Sequence, residues 1–234
     1  MDKLSQEDAK LFYSIWLPLL DFVNQKYSIL PAHPGFEAMS GKNAIEPEDA
    51  YAVSSVLWEN PDREIDDYQL TTVTSSNCSE ESHVVQEILN SWKKKITSRF
   101  FMVRHLRDEG TILIQADQNG QALNSASSVN GLLGDSTGHG AGDAGAGRVF
   151  LVRGIESNIE AMFPPEYFPL PLLVRATLIP FKDVIITDGI IQRYEFYMGK
   201  GIKKILNDAY MQAKWEKRVI SKLCSHPLNT TDCD

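Results

Sequence analysis

An α+β fold is predicted for this chain: an N-terminal helical region packed on a small, mostly antiparallel sheet or partial barrel, covered by a long C-terminal helix. Three observations predict it. Apolar residues recur at spacings of three and four up to about residue 97, and the period then shortens to two. Two pairs of β-prone runs, Phe100–Val103 with Thr111–Ile114 and Leu172–Pro180 with Val184–Thr187, flank short turns. The strand-rich run Leu172–Tyr197 then passes through Gly199 and Gly201 into a basic amphipathic segment.

In chain order, Ser5 caps a first helix whose stripe is Leu11, Phe12, Ile15, Trp16, Leu19, Leu20 and Val23, with a kink expected at Pro18. Residues 27–46, rich in proline and glycine, read as a connection. A second helix opens at Pro47 and stops at Asn60-Pro61. Asp62, Glu64, Asp66 and Asp67 lack the glycine and spacing of a calcium loop and read as a solvated acidic surface. After a polar loop from Thr71 to Ser79, a third helix carries Val84, Val85, Ile88, Leu89, Trp92 and Ile96, with Lys93, Lys94 and Lys95 in its last turns and His83 exposed.

The hairpin around Arg107–Gly110 follows, then a turn at Asp117–Gly120. Residues 121–147 read as a flexible Gly-rich insertion. They contain Gly138-His139-Gly140 and Asp143, but no GK[ST] ending and no GxGxxG entering a helix, so a phosphate loop is not supported. Val149–Val152 resumes the sheet, and Glu156–Met162 reads as a short helix. The final helix is placed at about 202–223, with Ile205, Leu206, Ala209, Tyr210, Ala213, Val219 and Ile220 able to face the sheet and Lys203, Lys204, Lys214, Lys217, Arg218 and Lys222 making the other side basic, and 224–234 reads as a frayed tail. The resulting organisation is a helical region over 1–97, a sheet with its helix over 98–223, and the tail.

Composition bounds the function. A chain of 234 residues with 43% apolar content can bury a real core. Its acidic, polar opening, Met1–Asp8, is unlike a secretory leader, and no apolar run reaches about 18 residues, so a soluble cytoplasmic protein is expected, with no membrane partner. Residues 1–90 carry 16 acidic and 5 basic side chains, and 91–234 carry 15 and 18. That balance argues against nucleic-acid binding, which calls for a strongly basic domain. Cys78, Cys224 and Cys233 form no CxxC pair, and Cys224 with His226 makes no zinc site, so neither metal nor cofactor is implied.

Candidate site residues are few. Gly199, Lys200, Gly201 and Lys204 are the best anion-binding candidates, two glycines and two lysines at a helix N-terminus, set against plain strand-to-helix geometry with glycines at positive φ. Asp183 and Asp188 are acidic candidates, but five residues apart on one strand they project to opposite faces. His105 is a candidate base with no nucleophile beside it in sequence. GxSxG and HExxH are absent.

The chain resembles a family of conserved bacterial and archaeal proteins of unknown function. The resemblance rests on Leu17-Pro18-Leu19-Leu20 leading to Phe22-Val23-Asn24, on Leu57-Trp58-Glu59-Asn60-Pro61, on Phe100-Phe101 with His105-Leu106, and on Leu178–Lys182 with Ile185–Gly189. It implies organisation and no catalytic residues. Three glycines expected before the last helix are here Met198-Gly199-Lys200-Gly201-Ile202, which weakens the anion site. The expected function is a non-catalytic interaction or ligand-binding protein, with a protein partner as one possibility, and docking of the last helix's basic face on an acidic partner, with strong salt dependence, as another. The alternative is an enzyme on a phosphorylated or nucleic-acid substrate, using Lys200, Lys204, Asp183, Asp188 and His105.

Overall fold

Ser5 begins the first helix as its residue type requires: its hydroxyl accepts the Asp8 N–H at 3.1 Å, and α1 (Gln6–Tyr27) runs on through Pro18. The structure is a computed structural model describing residues 2–39, 46–73, 80–116, 147–163, 170–195 and 198–223. The turn at 117–120, the insertion as far as residue 146, the tail, and Cys78, His139 and Asp143 lie outside the described residues. Contacts divide the chain into two units. The helical unit contains Leu4–Lys95 and Ile179–Asp183; the other contains residues 2–3, Ile96–Leu178 and Val184–Leu223.

In the helical unit, α1 is joined by the short α2 (Phe36–Met39), α3 (Pro47–Glu59), α4 (Pro61–Val73) and α5 (Glu80–Trp92). Its core is aromatic. Trp16 stacks on Trp58 at 5.6 Å and meets Trp92 edge-on, while Phe12 packs on Trp92 and on Phe181. Asp21 accepts the N–H groups of Phe36 (2.6 Å) and Glu37 (3.0 Å), which starts α2 inside the expected connection.

Two expectations need correction here. The acidic run 62–67 is the first half of α4, with Asp62 and Asp66 exposed as expected but Glu64 buried, because Asn60 ends α3 and its backbone carbonyl then accepts the Glu64 N–H (3.1 Å), with Pro61 at the first helical position. Ile65 and Glu64 are buried on its inner side, and Glu64 accepts from Lys26 Nζ (2.6 Å) and the Tyr27 hydroxyl (2.7 Å). The third helix stops at Trp92, so Lys93–Lys95 lie beyond it and Ile96 already belongs to a strand.

The second unit is a barrel. Strands β1 (Ile96–Leu106), β2 (Gly110–Gln115), β3 (Val149–Arg153), β4 (Leu172–Phe181) and β5 (Val184–Arg193) pair in the cyclic order β1-β2-β3-β5-β4 and back to β1. β1 closes the ring by being long and bulged: its first half pairs with β4, its second with β2, and the register shifts between Met102 and Arg104. The sheet is mixed, since β3 runs parallel to β5 at Val152–Arg153. β6 (Val219–Ile220) also runs parallel to β3, along Val149–Phe150, the stretch that β5 leaves open. A five-stranded Greek-key ring of this order is the OB arrangement.

Phe100, Met102, Leu113, Phe150, Val152, Val174, Ala176, Leu178 and Ile185 fill the interior. The expected helix at Glu156–Met162 is only a 3-10 turn, Ile159–Met162, capped by Asn158 and placing Ile159 in that interior. Gly154 precedes it where a Cβ would sit 1.8 Å from the Ser157 carbonyl oxygen, and its N–H donates to Asp2 O at 2.9 Å.

α6 (Lys200–Trp215) covers the outer face of β1, β2 and β3. Leu206, Tyr210 and Ala213 bury against Phe101, Ile112, Ile114 and Val149. The last helix is therefore shorter than expected, ending at Trp215 with Val219–Ile220 extended. Lys217 takes φ 54°, its N–H bonds Lys214 O (3.2 Å), and Arg218 N–H bonds Ala213 O (2.8 Å). That is a Schellman stop built without glycine, so composition did not announce it.

Candidate functional site

α6 has two sides of different chemistry, and the sequence places each by helical spacing. Leu206, Tyr210 and Ala213 face the barrel. Arg104 of β1 ties them down: its guanidinium donates to Asn207 Oδ1 at 2.6 Å and lies 5.5 Å from the centre of the Tyr210 ring. On the other side, Lys200, Lys204, Asp208, Met211 and Trp215 are exposed at spacings of four, four, three and four.

Two of these are large and apolar. Met211 is 49% exposed and Trp215 85%, whereas Trp16, Trp58 and Trp92 are buried. A tryptophan this open is unusual on a folded protein's surface. Lys214 and Lys217 flank it, and the side chains of Lys204, Lys214 and Lys217 form no ion pair among the described residues. Glu216 is engaged: hydrogen bonds from Gln212 and Arg218 hold its carboxyl below the usual range.

The residues singled out from sequence fall elsewhere. Gly199 caps α6 with φ −65°, and neither it nor Gly201 has positive φ; a Cβ at either would meet nothing within 4 Å. These glycines therefore answer neither a left-handed turn nor a close approach. Lys200 and Lys204 stand exposed on the first turns, and Gly199 offers no side-chain cap.

His105 lies at the end of β1 with Nδ1 3.1 Å from the Thr111 hydroxyl, and Nε2 3.4 Å from Asp2 and 4.0 Å from Glu160. None of these partners is another sequence candidate. Lys3 pairs with Gly154, and its ammonium reaches Glu156 O at 2.9 Å, so the His105 cluster sits where residues 2–3 join the barrel. Asp188 is buried on β5, accepting the Ile190 N–H at 3.1 Å, and Asp183 is in the β4–β5 turn, in the other unit. Among the described residues, no group of three or more His, Cys, Asp or Glu side chains is arranged to hold a metal ion, and no helix is long and apolar enough to cross a membrane.

Comparison with family models, curated proteins and solved structures finds no match to this chain. The geometry alone carries the functional argument. Sequence reasoning missed Met211 and Trp215. Their signal was present as two large apolar residues four apart, off the stripe made by Leu206, Tyr210 and Ala213.

Proposed function

We propose that this chain is a non-catalytic binding protein whose docking surface is the outer face of α6, and that its partner is a protein. The observation that carries this reading is the 85% exposure of Trp215, with Met211 one turn before it. Tryptophan and methionine are enriched where proteins meet, and a tryptophan reaching a partner pocket is a common source of binding energy.

The barrel's architecture supports the same reading. OB barrels take oligonucleotides and oligosaccharides on the face of strands 2 and 3. Here that face carries Ile112, Ile114 and Val149 and is packed under α6, leaving the back of the helix as the surface presented. Fold alone names no function, so the weight rests on α6. The groups that an enzyme reading needs give it little support: His105 contacts Thr111, Asp2 and Glu160, and Asp188 accepts a backbone N–H.

Photo-crosslinking in the native host tests this. A benzophenone side chain at position 215 is expected to yield one discrete protein adduct, lost on Met211→Asp, while the same probe at exposed Glu109 yields none. No adduct at 215, or the same adducts from both positions, overturns the proposal.

A further inference from the structure

The docking face of α6 has a charge as well as a shape. Between Gly199 and Leu223 the chain places seven lysines and arginines against two carboxylates, Asp208 and Glu216. Glu216 is already bonded to Gln212 and Arg218. Lys204, Lys214 and Lys217 are exposed and without ion pairs among the described residues; Lys214 and Lys217 stand one and two residues from Trp215, and Lys204 lies two turns before Met211 in the same stripe, with Asp208 between. An apolar pair on a face with an excess of unpaired cations is matched by an apolar pair flanked mainly by carboxylates.

We infer that α6 docks an acidic amphipathic helix of another protein, whose apolar anchors pack on Met211 and Trp215 and whose Asp and Glu side chains face Lys204, Lys214 and Lys217. This rests on α6 being the docking face. Anchors four residues apart are the spacing by which one helix packs on another, with axes about 8–10 Å apart. The flexible methionine accommodates a partner's side chains. Asp208, the only carboxylate in the exposed stripe, fixes a register point that calls for a basic residue opposite.

A nucleic-acid strand fits less well. Recognition of phosphate favours the two-pronged guanidinium, and both nearby arginines are engaged, Arg104 with Asn207 and Arg218 with Glu216. Base stacking draws on successive rings. In α6 the other ring, Tyr210, is buried against the barrel.

Selection of displayed helical peptides against the purified 234-residue chain tests the inference. The library carries two apolar anchors four residues apart and either Glu or Lys at the flanking positions. The expected result is enrichment of Glu-flanked peptides, with the best one losing affinity at least about tenfold on Trp215→Ala and about tenfold between about 0.05 and 0.5 M salt. The double variant Lys214→Glu/Lys217→Glu is expected to reverse the selection toward Lys-flanked peptides, a change that misfolding cannot produce.

Enrichment of Lys-flanked or uncharged peptides on the natural chain overturns the inference, as does no enrichment, or tighter binding of oligo(dT) at Trp215. A crosslink at position 215 alongside any of these results keeps α6 as a docking face and removes only the acidic helix. Absence of both the crosslink and the enrichment removes the two together.

Discussion

Lys217 ends α6 by adopting φ 54°, a left-handed conformation that costs a residue with a Cβ about 1–2 kcal/mol. Glycine avoids that cost. Lys217→Gly is therefore expected to raise stability by about 1 kcal/mol, read as a higher urea midpoint with unchanged slope. Asp67 and Asp8 supply a second residue-level prediction. Hydrogen bonds from the ammonium groups of Lys26 and Lys182, respectively, lower their carboxyl pKa values from the ordinary 3.8. A carboxylate with a depressed folded pKa stabilises the fold above its unfolded pKa, and that contribution is lost as pH falls, because the unfolded chain binds the proton first. The urea midpoint is expected to drop from about pH 5 downward, through the ordinary carboxylate range and on to the lowered folded pKa values, and Asp67→Asn to flatten part of that drop. An unchanged profile in Asp67→Asn contradicts the assignment. At this scale the sequence was partly legible. Ser5 and Pro47 are local signals and stand where expected. Lys217 is not, since nothing in a lysine announces a left-handed turn.

Among the elements, α6 depends most on a few contacts. Tyr210 is 2% exposed and bears both the packing on the barrel and the Arg104 guanidinium. Tyr210→Ala is expected to cost about 3 kcal/mol. Amide exchange across Lys200–Trp215 should accelerate more than exchange in β4, and equal acceleration throughout would contradict local anchoring. The strands were legible because the change from helical spacing to alternation at residues 99–114 and the turn at 182–183 are nearest-neighbour patterns. α4 is hidden in the sequence because Asn60-Pro61 signals a stop, whereas a proline that cannot continue one helix is also well placed to begin the next. Ring closure was hidden for a different reason. The parallel contact between β3 and β5 joins segments more than thirty residues apart, and no local pattern encodes it.

Across the whole molecule, burial sorts the four tryptophans into three sheltered and one open. Acrylamide quenching is expected to resolve one accessible emitter, and Trp215→Phe to abolish that component while sparing the rest. Charge is sorted too. The acidic excess of residues 1–90 and the basic excess of 91–234 leave a net of −8, with a sequence pI near 5.2. A chain of that kind repels copies of itself at neutral pH, yet each copy carries a basic stretch able to meet an acidic partner. That sorting was legible from composition. The exposed side of α6 was legible in part: helical spacing assigns Leu206, Tyr210 and Ala213 to the sheet and Lys204, Lys214 and Lys217 to the basic side, where they stand, but it leaves Met211 and Trp215 unplaced, since only the barrel's position says which apolar residues are covered.

β6 contributes two residues, but it changes how the protein meets its own copies. By lying along Val149–Phe150 it takes up backbone donors and acceptors that would otherwise be offered to any extended chain nearby. A version truncated after Glu216 would present that stretch as an unpaired edge. Such a protein is expected to show concentration-dependent light scattering at neutral pH despite its negative charge, whereas the full chain stays monodisperse.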